Sequence, residues 1–150
     1  MKILAKVINV LNSIDPELID SDNFAEIIKF VSSGSPDFEV ADHRFISEDE
    51  IDEIMKDELS GDSYMLGCFS ASFLAGLSKM PLGYDTIKRL QEAEAFEAIG
   101  EIIMSIDGLL EELQGDCVSC DGYGHHFGHY DGEEHSINIA GKDYYIFKIN

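Results

Sequence analysis

The chain has 150 residues and a mass of 16.7 kDa, and 45% of its residues are hydrophobic; this predicts a single domain over 1–150 with a real core, and excludes a disordered chain. Thirty acidic residues against ten basic ones give a formal charge of −20 and an isoelectric point near 4.3, which excludes nonspecific attraction to nucleic acid or to an anionic membrane. Three cysteines, an odd number, point to reduced, cytoplasmic usage rather than to a disulfide framework.

Ile3, Leu4, Val7, Ile8, Leu11 and Ile14 recur at helical spacing and predict a first helix, ended by Asp15-Pro16. Lys6 interrupts that apolar run and no small-residue cleavage site follows, so no signal peptide is expected. A second helix is expected from Ser21 or Asp22, turning Phe24, Ile27, Ile28 and Val31 inward, until Ser33-Gly34-Ser35-Pro36 breaks it. Phe38 to Phe45 reads equally as a loop or an edge strand. Ser47-Glu48-Asp49-Glu50 has the form of a capping box, opening a helix over 47–59 with only Ile51, Ile54, Met55 and Leu59 apolar. Its other faces are acidic, Asp52 and Glu53 among them. Neither this run nor Asp20-Ser21-Asp22 has the loop glycine and distal glutamate of an EF-hand.

Residues 63–78 are apolar or small on every side, with Gly67, Ala71 and Ala75 at four-residue intervals; this predicts a buried central helix that a neighbour approaches closely. Met80-Pro81-Leu82-Gly83 makes a turn. A DNA-reading helix-turn-helix there would have only Lys79, Lys88 and Arg89 for phosphate, so an ordinary helical hairpin is the expectation. From Asp85 to Leu113 the chain reads helical, with a possible break at Gly100. Phe96, Ile99, Ile102, Ile103, Ile106, Leu109, Leu110 and Leu113 share one broad face, while Glu94, Glu97, Glu101 and Glu112 gather opposite. Between Arg89 and Lys142 there is no lysine or arginine to neutralise twelve carboxylates.

The period then changes. Residues 123–130, 133–140 and 143–149, separated by Asp131-Gly132 and Gly141-Lys142, read as three antiparallel strands. Cys117-Val-Ser-Cys120, followed by Gly124 and His125, resembles the first three ligands of a zinc knuckle, which implies a zinc site on Cys117, Cys120 and His125, with His126 as a further candidate. Tyr130 stands where a knuckle has its last cysteine, and the basic residues that a knuckle uses to hold nucleic acid are missing. In a strand, His125 and His129 would lie roughly 13 Å apart, too far to share one ion.

The expected architecture is α+β: about five helices around the 63–78 helix, then a C-terminal three-stranded antiparallel meander. No phosphate loop, nucleophile elbow or carboxylate pair suggests an enzyme. The leading functional expectation is an acidic protein-binding module. Its binding surface would comprise Asp52, Glu53, Glu94, Glu97, Glu101 and Glu112, and would occupy a basic groove on a nucleic-acid-binding protein. Small inhibitors from phages and mobile elements act in this manner, an analogy of character alone. The alternatives are a small zinc module and an acidic interaction protein whose charge only keeps it soluble. No cofactor is expected beyond possible zinc, and no direct contact with nucleic acid or membrane.

Overall fold

Val7 and Leu11, four residues apart, put their side chains on one stripe of a helix, and both are buried. In the computed structural model, which describes residues 2–150 with side chains from Leu4 onward, that helix is α1 (Lys2–Ile14). The inward side chain expected of Ile3 lies outside the described residues. A 3-10 turn (Pro16–Ile19) follows, its first amide capped by the Asp15 carboxylate, and Asp20 caps α2 (Ser21–Ser32) in the same way. The later elements are β1 (Asp37–Val40), β2 (His43–Ser47), α3 (Ile51–Ser60), α4 (Ser63–Gly67), α5 (Ala71–Ala75), α6 (Tyr84–Glu92), α7 (Phe96–Ser105), α8 (Leu109–Asp121), α9 (Gly124–Phe127), β3 (His135–Ile139) and β4 (Lys142–Lys148). The fold is α+β, and no helix among the described residues is long and apolar enough to cross a membrane.

The chain divides into two compact units, Met1–Ile51 with Asp121–Asn150, and Asp52–Cys120. The first is built on an antiparallel sheet of order β1-β2-β4-β3. Ala41 and Asp42 both have positive φ and close the β1–β2 hairpin; Ala140 and Gly141 do the same between β3 and β4. The 38–45 stretch is therefore an edge hairpin, which the sequence left open because Ala-Asp is a weak turn signal. On one face of the sheet, Phe38 stacks between Phe30 and Phe45 at 4.8 Å centroid separation on each side, with Tyr144 edge-on at 5.8 Å. Val7, Leu11, Leu18, Ile27, Ile137 and Ile139 complete that core. Arg44 forms a bidentate pair with Asp37 (2.7 and 2.8 Å) and lays its guanidinium over the Phe127 ring.

Three expectations need correction in detail. The 63–78 segment is two short helices with Tyr64, Cys68, Ser70 and Ser72 exposed, rather than one buried helix. The serines in the run are the cause: Ser70 accepts the Phe73 amide and starts α5 afresh, while Gln91 donates to the Gly67 and Phe69 carbonyls left at the end of α4. Second, 123–130 is α9 and a turn, and β2 takes the third place in the antiparallel arrangement. Tyr123 and Phe127 are four residues apart, a spacing that fits a strand face and a helix face equally. They rest on Tyr145 and Phe147. Third, α3 begins at Ile51, because Ser47 is engaged as the last residue of β2.

The 85–113 region is three helices. It is Glu94 and Gly108, both with positive φ, that end α6 and separate α7 from α8. Gly100 lies inside α7 and serves a different purpose. A Cβ there would sit 1.8 Å from the Ser63 carbonyl oxygen, and one on Gly67 would sit 1.9 Å from that of Phe96. These two glycines let α4 and α7 cross backbone against backbone.

Candidate functional site

Unit 52–120 carries fourteen acidic residues against four basic ones, so its charge is decided by where those four cations are used. Lys56, on α3, bridges Glu53 (3.1 Å) and Glu111 of α8 (3.4 Å). The hydrogen bond to Glu53 leads the effects that raise the Lys56 pKa. Asp52 accepts a 2.8 Å hydrogen bond from the Gln114 amide, which is itself buried. Asp52 and Glu53, both expected on the binding surface, therefore have intramolecular partners.

Glu112 departs further from expectation. Its two oxygens accept the backbone amides of Ser78 (2.6 Å) and Lys79 (3.0 Å), closing the loop after α5 onto α8. The Ser78 amide first, and the Lys79 amide after it, hold the Glu112 carboxyl below the usual carboxylate range. This carboxylate, expected on the binding surface, is committed to the fold through those two amides. Because its folded pKa is depressed, its stabilisation is present above the ordinary carboxylate pKa and is lost as pH falls through the depressed one. Glu112→Gln should lower the melting temperature at neutral pH, with the gap to wild type closing under acid conditions. Thermal melts across pH 2–7 check this, and a gap independent of pH would contradict it.

Glu94, Glu97 and Glu101 are placed otherwise. All three are exposed, and among the described residues none has an ion pair or side-chain hydrogen bond. Glu97 and Glu101 lie one turn apart on α7, about 6 Å along its axis. Behind them Ile99, Gly100 and Ile103 are buried, and Phe96 meets Tyr64 edge-on at 5.2 Å, so the helix is fixed from below. Glu94 is on no helix face. It occupies the left-handed position of a Schellman motif, with φ of 58°; its amide bonds to the Gln91 carbonyl (2.9 Å) and the Ala95 amide to that of Leu90 (2.8 Å).

Glycine is the ordinary residue at that position. Holding a side chain there costs roughly 1–2 kcal/mol, against roughly 0.4–1 kcal/mol of extra unfolded-state entropy for a glycine. Glu94→Gly should thus stabilise the fold by about 0.5–1 kcal/mol, a rise of about 1–4 °C in melting temperature. A melt that falls instead would show that the Glu94 side chain contributes to the fold.

The candidate metal ligands are divided between the two units. Cys117 and Cys120 lie near the end of α8 and are not joined in a disulfide, and His125 and His126 lie on α9, where His126 packs edge-on to Phe127. Among the described residues no group of three or more histidine, cysteine, aspartate or glutamate side chains is placed to hold a metal ion. The backbone explains the arrangement. A Cβ on Gly124 would meet the Gly132 carbonyl oxygen at 2.1 Å, so this segment folds tightly on itself and cannot extend as the strand that the ligand spacing assumed. No protein-family model matches the chain, and neither does any curated protein or solved structure.

Proposed function

We propose that this chain is an acidic protein-binding module, without catalytic activity of its own, that occupies a basic groove on a protein which normally holds DNA or RNA. Glu94, Glu97 and Glu101 are its principal contacts. One observation carries the reading: these three carboxylates are exposed beside a helix anchored through glycine contacts, and none is neutralised among the described residues. Ordered, unpaired carboxylates on a fixed backbone can replace the negative charges of a nucleic-acid strand without first breaking ion pairs of their own.

Salt and competition test it. Proteins retained from a host lysate on the immobilised chain should elute as ionic strength rises from about 0.1 M to about 1 M, where the screening length falls from roughly 10 Å to roughly 3 Å. Duplex DNA should displace them at low salt. Retention that survives high salt would overturn the electrostatic reading. Elution by salt but not by DNA would leave an acidic interaction module without mimicry.

A further inference from the structure

The sheet of the first unit has two edges, and only one is defended. β1 follows Pro36 and carries Asp37 and Glu39, charges of the kind that discourage another strand from pairing. β3 (His-Ser-Ile-Asn-Ile, 135–139) has no carboxylate, lysine, proline or bulge.

The register shows which of its backbone groups are free. With a two-residue Ala140-Gly141 turn, the closing pair Ile139–Lys142 exchanges hydrogen bonds, and so do Ile137–Tyr144 and His135–Ile146. Ser136 and Asn138 then direct their amides and carbonyls away from β4. The Asp143 carbonyl confirms this phase, because it accepts from the Glu48 amide on the β2 side, away from Asn138. Among the described residues the backbones of Ser136 and Asn138 make no other hydrogen bond. Beside them a cavity of about 650 Å³ opens against α1, with Val7, Val10 and Ile137 as apolar lining and Glu48 and Asp143 as acidic lining; Lys6 is the one cation there among the described residues. Exposed Glu133 and Glu134 lead into the strand from its other end.

We infer that the β3 edge is a strand-addition site, which takes an extended segment of a partner protein with an apolar centre and basic residues at its two ends. The backbone of that segment would bond to Ser136 and Asn138, an alternate apolar side chain would enter the cavity, and the flanking bases would meet Glu133 and Glu134 at one end and Glu48 and Asp143 at the other. Charge selects this occupant over a second copy of the chain. The first unit carries sixteen acidic residues against six basic ones, so two β3 edges would bring like charge together. The inference does not rest on the anionic surface of the other unit.

The test uses the full chain and a synthetic peptide of alternating valine and threonine with two lysines at each end. Its binding should slow hydrogen exchange at the Ser136 and Asn138 amides. Replacing the lysines by glutamates, or N-methylating alternate peptide amides, should weaken binding by at least about tenfold. Ser136→Pro removes one outward donor at a position where an edge strand tolerates proline, and should have the same effect with the melting temperature retained. If that variant fails to fold, the N-methylated peptide still decides. Unchanged exchange at both amides with the lysine peptide, equal binding of the N-methylated peptide, or protection of these amides by self-association without peptide would each overturn the inference.

Discussion

Gly100→Ala should destabilise the 52–120 unit by about 3 kcal/mol or more, a large part of the roughly 5–15 kcal/mol that stabilises a domain of this size. A Cβ at Gly100 would stand 1.8 Å from a carbonyl oxygen, and the obstructing atom is Ser63 backbone, which cannot rotate aside as a side chain would. The reverse contact, Gly67 against the Phe96 carbonyl, prevents α4 from sliding to make room. Separating the two helices would in turn open the packing of Leu66, Ile99 and Ile103, all fully buried. The control is Gly115, inside α8, where a Cβ meets nothing within 4 Å. There alanine removes only the helix penalty of glycine and should stabilise by about 1 kcal/mol. Urea unfolding of both variants separates close packing from helix propensity. Equal midpoints would show that α4 and α7 do not depend on glycine contact.

The same pair of glycines shows what could be read from sequence and what could not. Gly67 within a small-residue series predicted a close helix approach, and the approach is there, though the helix around it is one turn and a half long. Gly100 looked like a break because composition alone cannot distinguish a glycine that ends a helix from one that makes room for a neighbour. The α1, α2 and α3 apolar stripes were legible, because periodicity is a local property and most of their burial follows from it, the exception being Leu4, which is 44% exposed. The C-terminal strands from 135 to 148 were legible for the same reason. The 123–130 segment was not: its apolar alternation holds for a strand, whereas the chain turns helical over Gly124–Phe127 and brings Gly124 against Gly132, an approach that the alternation does not encode. Of the candidate surface, Glu97 and Glu101 could be placed from helical phase. The commitment of Glu112 to the 78–79 amides, and of Lys56 to Glu111, depends on contacts 33 to 55 residues apart in sequence that no local pattern encodes.

Reversing Glu94, Glu97 and Glu101 together to lysine should abolish partner binding while leaving the fold intact. An exposed ion pair contributes roughly 0.2–1 kcal/mol, and reversal replaces that attraction with repulsion of similar size, so three sites sum to an affinity loss on the order of a hundredfold. The fold has little at stake. None of the three side chains has a partner among the described residues, and each reversal moves the formal charge of −20 two units toward neutrality, which relieves self-repulsion. The one cost falls at Glu97, in the first turn of α7, where a cation faces the positive end of the helix dipole; about 0.3–1 kcal/mol is lost there. Introducing Glu94→Gly in place of the lysine at that position offsets the loss by a similar amount and still removes the negative charge. The measurement is affinity for a captured partner at two salt concentrations, beside a melt of each variant. Weaker binding with an unchanged melt places the contact on these carboxylates. Undiminished binding by a folded triple variant would overturn that assignment and shift attention to other exposed acids of the unit, such as Glu92, Asp107 and Asp116.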